Sequence, residues 1–153
     1  MAIQYVLLII QTIIMMVILF GIFDNPLEGS IPLCSVLLFL VGTAGTAFGL
    51  LLAMICDSFS SATFAALGSY FPLFLFSGMI WPMEGMHYVL RTIGYVLPLT
   101  LSIESFRAMT TKAWSIDNPT VYVGFLSSFS WTLILTVITL LAVKLSRDLR
   151  LSF

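Results

Sequence analysis

Charge is what this sequence has least of. Of 153 residues, six are Lys or Arg and seven are Asp or Glu, 8% in all, where a soluble domain carries about 25%. Hydrophobic residues make up 60% and mean hydropathy is +1.13. A water-soluble fold of this length has nowhere to hide that much apolar surface, so lipid is the natural solvent. Net charge is −1, with no basic patch interleaved with aromatics, which gives nucleic acid no purchase. Cysteine is scarce too. Cys34 and Cys56 make no disulfide framework and no zinc-ligand cluster. No basic n-region or small-residue cleavage site marks the first 22 residues as a removable signal. No nucleophile–base pair, HExxH or phosphate-binding glycine loop occurs, so no catalytic residue and no metal site is expected.

What is present is long uncharged runs. A membrane-crossing helix needs about 20 mostly apolar residues, because each adds 1.5 Å against a hydrocarbon core of about 30 Å. Four runs satisfy this, over 2–22, 33–56, 59–80 and 120–143. In lipid the backbone must satisfy its own hydrogen bonds, so these read as helices of an all-α membrane protein. A fifth apolar run, 92–103, holds Gly94 and Pro98 and spans only about 18 Å if helical. It is too short to cross and suits a re-entrant or interfacial element within 81–118. Pro98 should break it near its middle, and Trp81-Pro82 should end the third span.

The connections differ in kind. Residues 24–32 are a polar turn with two prolines. Cys56-Asp57-Ser58 is so short that the second and third spans form a hairpin, with Asp57 as the expected cap. The tail carries Lys144, Arg147 and Arg150 close to a span end, which favours a cytoplasmic tail. The long segment 81–118 also holds three basic residues, Arg91, Arg107 and Lys112, but spreads them among acids. Density therefore points to both termini inside.

Several residues have two readings each. Gly42, Gly45 and Gly49 let another helix approach closely, either as a moving contact or as static packing. Gln4 and Gln11 share one helix face and serve either a substrate path or an interhelical hydrogen bond. Tyr70, Phe71, Phe74, Phe76 and Trp81 either line a cavity for flat apolar ligands or form an interfacial aromatic belt. Glu104 and Arg107 lie one helical turn apart and can pair. His87, the only histidine, reads as interfacial and solvated. Asn118-Pro119-Thr120 is disqualified as a glycosylation acceptor by its proline.

One stretch is more specific. Phe76-Ser77-Gly78-Met79-Ile80-Trp81-Pro82-Met83-Glu84-Gly85-Met86 is followed by Tyr95-Val96-Leu97-Pro98-Leu99-Thr100 and by Glu104-Ser105-Phe106-Arg107. This resembles the ABC-2 type membrane domain of the G/H-type (White-like) ABC transporters, in the order and the spacing of its signatures. The other spans match that family mainly in hydropathy. The resemblance implies that residues 1–153 are the C-terminal part of such a domain, its third to sixth helices, with 81–118 an extracellular re-entrant hairpin. It implies a plasma-membrane, multi-pass exporter of lipid-like or amphipathic substrates, working by alternating access in a homo- or heterodimer. The nucleotide-binding domain, with its ATP and Mg, and the first two helices are missing from this sequence, which reads as a fragment that would not pump alone. Phe71, Phe74, Leu75 and Phe76 become candidates for the substrate path. Pro98, Glu104 and Arg107 become candidates for an outer gate. The rivals are a free-standing four-helix membrane adaptor or scaffold, and a permease subunit encoded apart from its ATPase.

Overall fold

The structure, a computed structural model, describes residues 2–23, 29–80 and 83–151. All regular elements among the described residues are helical. They are α1 (Ala2–Val17), continued by a π-helical turn (Ile18–Ile22), α2 (Ile31–Ile55), α3 (Phe59–Phe76), a 3₁₀ turn (Met83–Gly85), α4 (Tyr88–Val96), α5 (Thr100–Lys112) and α6 (Pro119–Leu151). Four segments are long and apolar enough to cross a membrane: Ile3–Ile22, Ile31–Ile55, Phe59–Phe76 and Pro119–Lys144. These are the four expected spans with shifted ends.

The shifts have local causes. The second span starts at Ile31 rather than 33 and takes Pro32 into its first turn, where a missing N–H has no intrahelical partner to lose. The third is capped by Ser58, not Asp57, whose hydroxyl oxygen accepts the Ser61 N–H at 3.2 Å. It ends at Phe76 rather than 80, because Gly78 takes a left-handed conformation (φ 77°) that costs glycine little. The expected stop at Trp81-Pro82 and the polar turn at 24–28 lie outside the described residues. Pro72 inside α3 had no part in the sequence reading. Its ring deprives the Gly68 carbonyl of a helical donor. The last helix continues past the apolar run into the tail, to Leu151. Cys34 and Cys56 are free thiols near opposite ends of one continuous helix, as the spacing requires.

The helices pack around α2 and α6. Thr132 donates to the Leu40 carbonyl at 3.5 Å and Thr139 to the Ala47 carbonyl at 3.4 Å. Both pairs advance together along the chain, so α2 and α6 run parallel. α1 packs antiparallel on α2, with Gly42 so close to Leu8 that a Cβ there would overlap the leucine side chain. α5 runs antiparallel to the first turns of α6. Its Ser105 hydroxyl donates to the Thr120 carbonyl at 2.7 Å, and Ser102 and Ser128 share a hydroxyl hydrogen bond at 2.7 Å. Gly124 lies in this seam, where a Cβ would meet the Ser105 hydroxyl and, at 2.6 Å, the Leu101 carbonyl.

The packed centre is small: Cys34, Leu37, Ala108, Met109 and Val121, flanked by Met16, Leu33, Phe106, Trp114 and Phe125. It joins α2, α5 and α6 at the end where α6 begins. In lipid such burial gains little from leaving solvent, since acyl chains are as apolar as leucine. Close packing and side-chain hydrogen bonds of about 0.6 kcal/mol each carry more of the weight. Every buried side-chain nitrogen or oxygen among the described residues has a partner. Many hydroxyls fold back on their own helix, as Thr12 does to Leu8 (2.8 Å) and Thr136 to Thr132 (2.7 Å), which makes them tolerable in lipid.

Candidate functional site

α3 stands apart from this packing. It touches α2 through the short hairpin and α4 near its end, and none of its residues is buried. Phe64 is 75% exposed and Phe71 63%. Leu75 is exposed as well, and Phe74 and Phe76 are half-buried. Tyr70 stacks on Phe74 with ring centroids 5.6 Å apart and meets Phe71 edge-on at 6.5 Å. Of the path candidates, Phe71 and Phe74 thus meet Tyr70 in an aromatic surface along α3 itself.

At the foot of α3 the chain is tightly built. A Cβ on Gly94 of α4 would lie 2.7 Å from the Phe76 carbonyl and 2.8 Å from the Met83 methyl group. The Thr100 hydroxyl, fully buried, donates to the Gly94 carbonyl at 2.6 Å and ties the start of α5 to the end of α4. Pro98 lies between these helices, and its carbonyl accepts the Ser102 hydroxyl at 3.0 Å. The apolar run 92–103 is therefore two helices with a break around its proline.

Glu104 and Arg107 lie on one face of α5 and line one cavity of about 380 Å³, with Lys112, Trp114 and Thr120. They form no ion pair with each other. Lys112 places its ammonium 4.5 Å from the centre of the Trp114 ring, and Arg91 lies 5.8 Å from that of Tyr95, both cation–π distances.

The three glycines of α2 divide. Gly42 meets Leu8, whereas a Cβ on Gly45 or Gly49 would touch nothing within 4 Å. Gly45 and Gly49 line an open groove between α1 and α2 together with Gln4 and Gln11. Neither glutamine side chain has a hydrogen-bond partner among the described residues. The spacing that made these glycines candidates recurs in α6 as Gly124, Ser128 and Thr132. There it marks real contacts, with α5 and with α2, and the sequence reading passed over it.

A bundle of four membrane-length helices, with a pair of short helices packed between the third and the last, defines a polytopic membrane protein. The sequence profile described as ABC-2 type transporter matches residues 1–110, and the chain belongs to that family. It is similar to "ABC transporter G family member 20" of Dictyostelium discoideum, 28% identical over 148 residues, which covers 95% of this chain and 20% of that protein. The chain thus spans about a fifth of the length of this curated relative. No solved structure matches significantly.

Proposed function

We propose that the chain is the C-terminal part of the membrane domain of an ATP-driven exporter, moving lipid-like or amphipathic molecules. Membership of the ABC-2 type transporter family carries this reading. Such a membrane domain is a transport component and not itself a catalyst. ATP and Mg would be held by a nucleotide-binding domain, and the substrate would pass between two membrane domains by alternating access at the plasma membrane. The first two helices of the domain and a second domain are the partners this requires, together with the surrounding lipid.

Within the chain, α3 is the path-lining helix. Its lack of buried residues and its self-stacked rings support the assignment of Phe71, Phe74, Leu75 and Phe76, since aromatic faces take flat apolar ligands by stacking. Residues 81–118 dip into the outer leaflet and return. The antiparallel run of α5 on α6 supports this. Ser102 reaches the level of Ser128, about 13 Å along α6 from Pro119 at 1.5 Å per residue. Pro98, Glu104 and Arg107 would then stand at the outer mouth as a gate.

The test is transport of a fluorescent amphiphile by the assembled transporter carrying Phe71→Ala with Phe74→Ala. Loss of transport with normal surface expression supports the path. Transport at the unaltered rate places the path elsewhere.

A further inference from the structure

Gln11 stands near the middle of the first span. It lies about 12 Å from Ile3 and about 16 Å from Ile22 at 1.5 Å per residue. Its side chain is exposed and has no hydrogen-bond partner among the described residues. Gln4, seven residues earlier on the same helix face, is exposed and unpartnered as well. A primary amide carries both donors and an acceptor oxygen, and hydrocarbon answers none of them. Both glutamines line the groove between α1 and α2, which measures about 690 Å³. Thr12 and Thr46 border the same groove, but their hydroxyl protons are already given to the Leu8 and Thr43 carbonyls of their own helices, each at 2.8 Å. The groove runs from Gln4 to Met15 on α1 and from Leu38 to Leu50 on α2, about 17 Å or three helical turns along each. Its floor is bare at Gly45 and Gly49, where a Cβ would meet nothing within 4 Å.

We propose that this groove seats one of the two preceding helices of the same membrane domain, which answers Gln11 with an amide or hydroxyl side chain near the middle of its own span. The inference rests on the reading of the chain as the C-terminal part of such a domain. The length of the groove and its glycine floor suit a helix, whose backbone small residues allow to come close. Residues seven apart lie on one seam of a left-handed helix pair, so Gln4 and Gln11 face the same neighbour. An acyl chain would fit the length and leave both amides unanswered. Water in a groove open to hydrocarbon would find polar partners on one side only. A second copy is placed by the functional reading along α3. That helix packs on α2 and α4, whereas α1 packs on α2, so the groove is left to the domain's own helices.

The test is photo-cross-linking in the assembled transporter, in membranes of cells that make two differently tagged copies. p-Benzoylphenylalanine replaces Leu7 or Leu50, which border the groove from α1 and from α2 and are exposed. Irradiation should link both positions to one peptide that precedes this chain in the same copy, and that peptide should hold an amide or hydroxyl residue. Gln11→Leu should lower the melting midpoint of the assembled transporter, because the partner's polar group is then left unpaired. In residues 1–153 alone the same change should leave the midpoint as it was or raise it, since there the amide has no partner to lose. Links to lipid alone, links to the other tagged copy, or a Gln11→Leu change that leaves the assembled transporter's midpoint unaltered would each overturn the proposal. If that transporter still loses transport with Phe71→Ala and Phe74→Ala, the docking fails and the functional reading stands.

Discussion

Gly124 shows how much one missing methyl group can decide. It lets α5 approach α6 closely enough for Ser105 to reach the Thr120 carbonyl, and a Cβ there would overlap the Ser105 hydroxyl. Gly124→Ala should therefore destabilise the chain by about 1–3 kcal/mol, the usual cost of overpacking, seen as a lower melting midpoint in detergent. Gly45→Ala should leave the midpoint unchanged, because its side of α2 is open. A fall as large as that of Gly124→Ala would mean that the groove is filled. Replacing Gly45 or Gly49 by Leu should matter only in the assembled transporter, if a further helix packs there. The Ser102–Ser128 bond is a smaller matter. A double-mutant cycle with alanine at both positions should give a coupling of about 0.6 kcal/mol, typical of hydroxyl pairs between membrane helices. A coupling indistinguishable from zero would mean that the two hydroxyls act separately, each through the carbonyl bond to its own chain segment, Pro98 for Ser102 and Gly124 for Ser128.

At the scale of elements, α3 and α5 are opposites. α3 is long, apolar and bare, whereas α5 is short, carries hydroxyls and charges, and is buried along one side. Phe71→Ala should therefore change stability by no more than about 0.5 kcal/mol, as for other exposed positions, while impairing transport. A large loss of stability would make the ring structural. The four spans and the break near Pro98 were legible because uncharged length and a proline are written directly in the sequence. Helix ends were less so. Gly78 stops α3 through a backbone conformation that its surrounding apolar run does not advertise. The α5–α6 seam was missed for a different reason. Small residues four apart state that a backbone can come close, but not which helix comes. Gly45 and Gly49 have that spacing and face open space, while Gly124 and Ser128 have it and meet α5. Of the candidate site, the chemistry of Glu104 and Arg107 was visible. That they share a cavity rather than an ion pair depends on side-chain directions fixed by packing.

At the scale of the whole molecule, the parallel course of α2 and α6 constrains the topology. Two parallel spans enter the membrane from the same side. Between them the chain crosses once in α3 and must come back to the starting side of α6 without a further crossing. In the re-entrant course proposed above, the α4–α5 pair does this by turning around Pro98 and running antiparallel along α6 to Lys112. The start of α1 and the end of α6 then lie at the same end of the bundle, which the proposed orientation makes the cytoplasmic one. The most direct measurement is labelling of single cysteines at Lys112 and Lys144, both exposed, with an impermeant maleimide applied to intact cells. Lys112→Cys should react from outside, and Lys144→Cys only after the membrane is opened. If Lys112→Cys reacts only from the cytoplasm, the segment crosses, the spans number five, and the four-span topology is wrong.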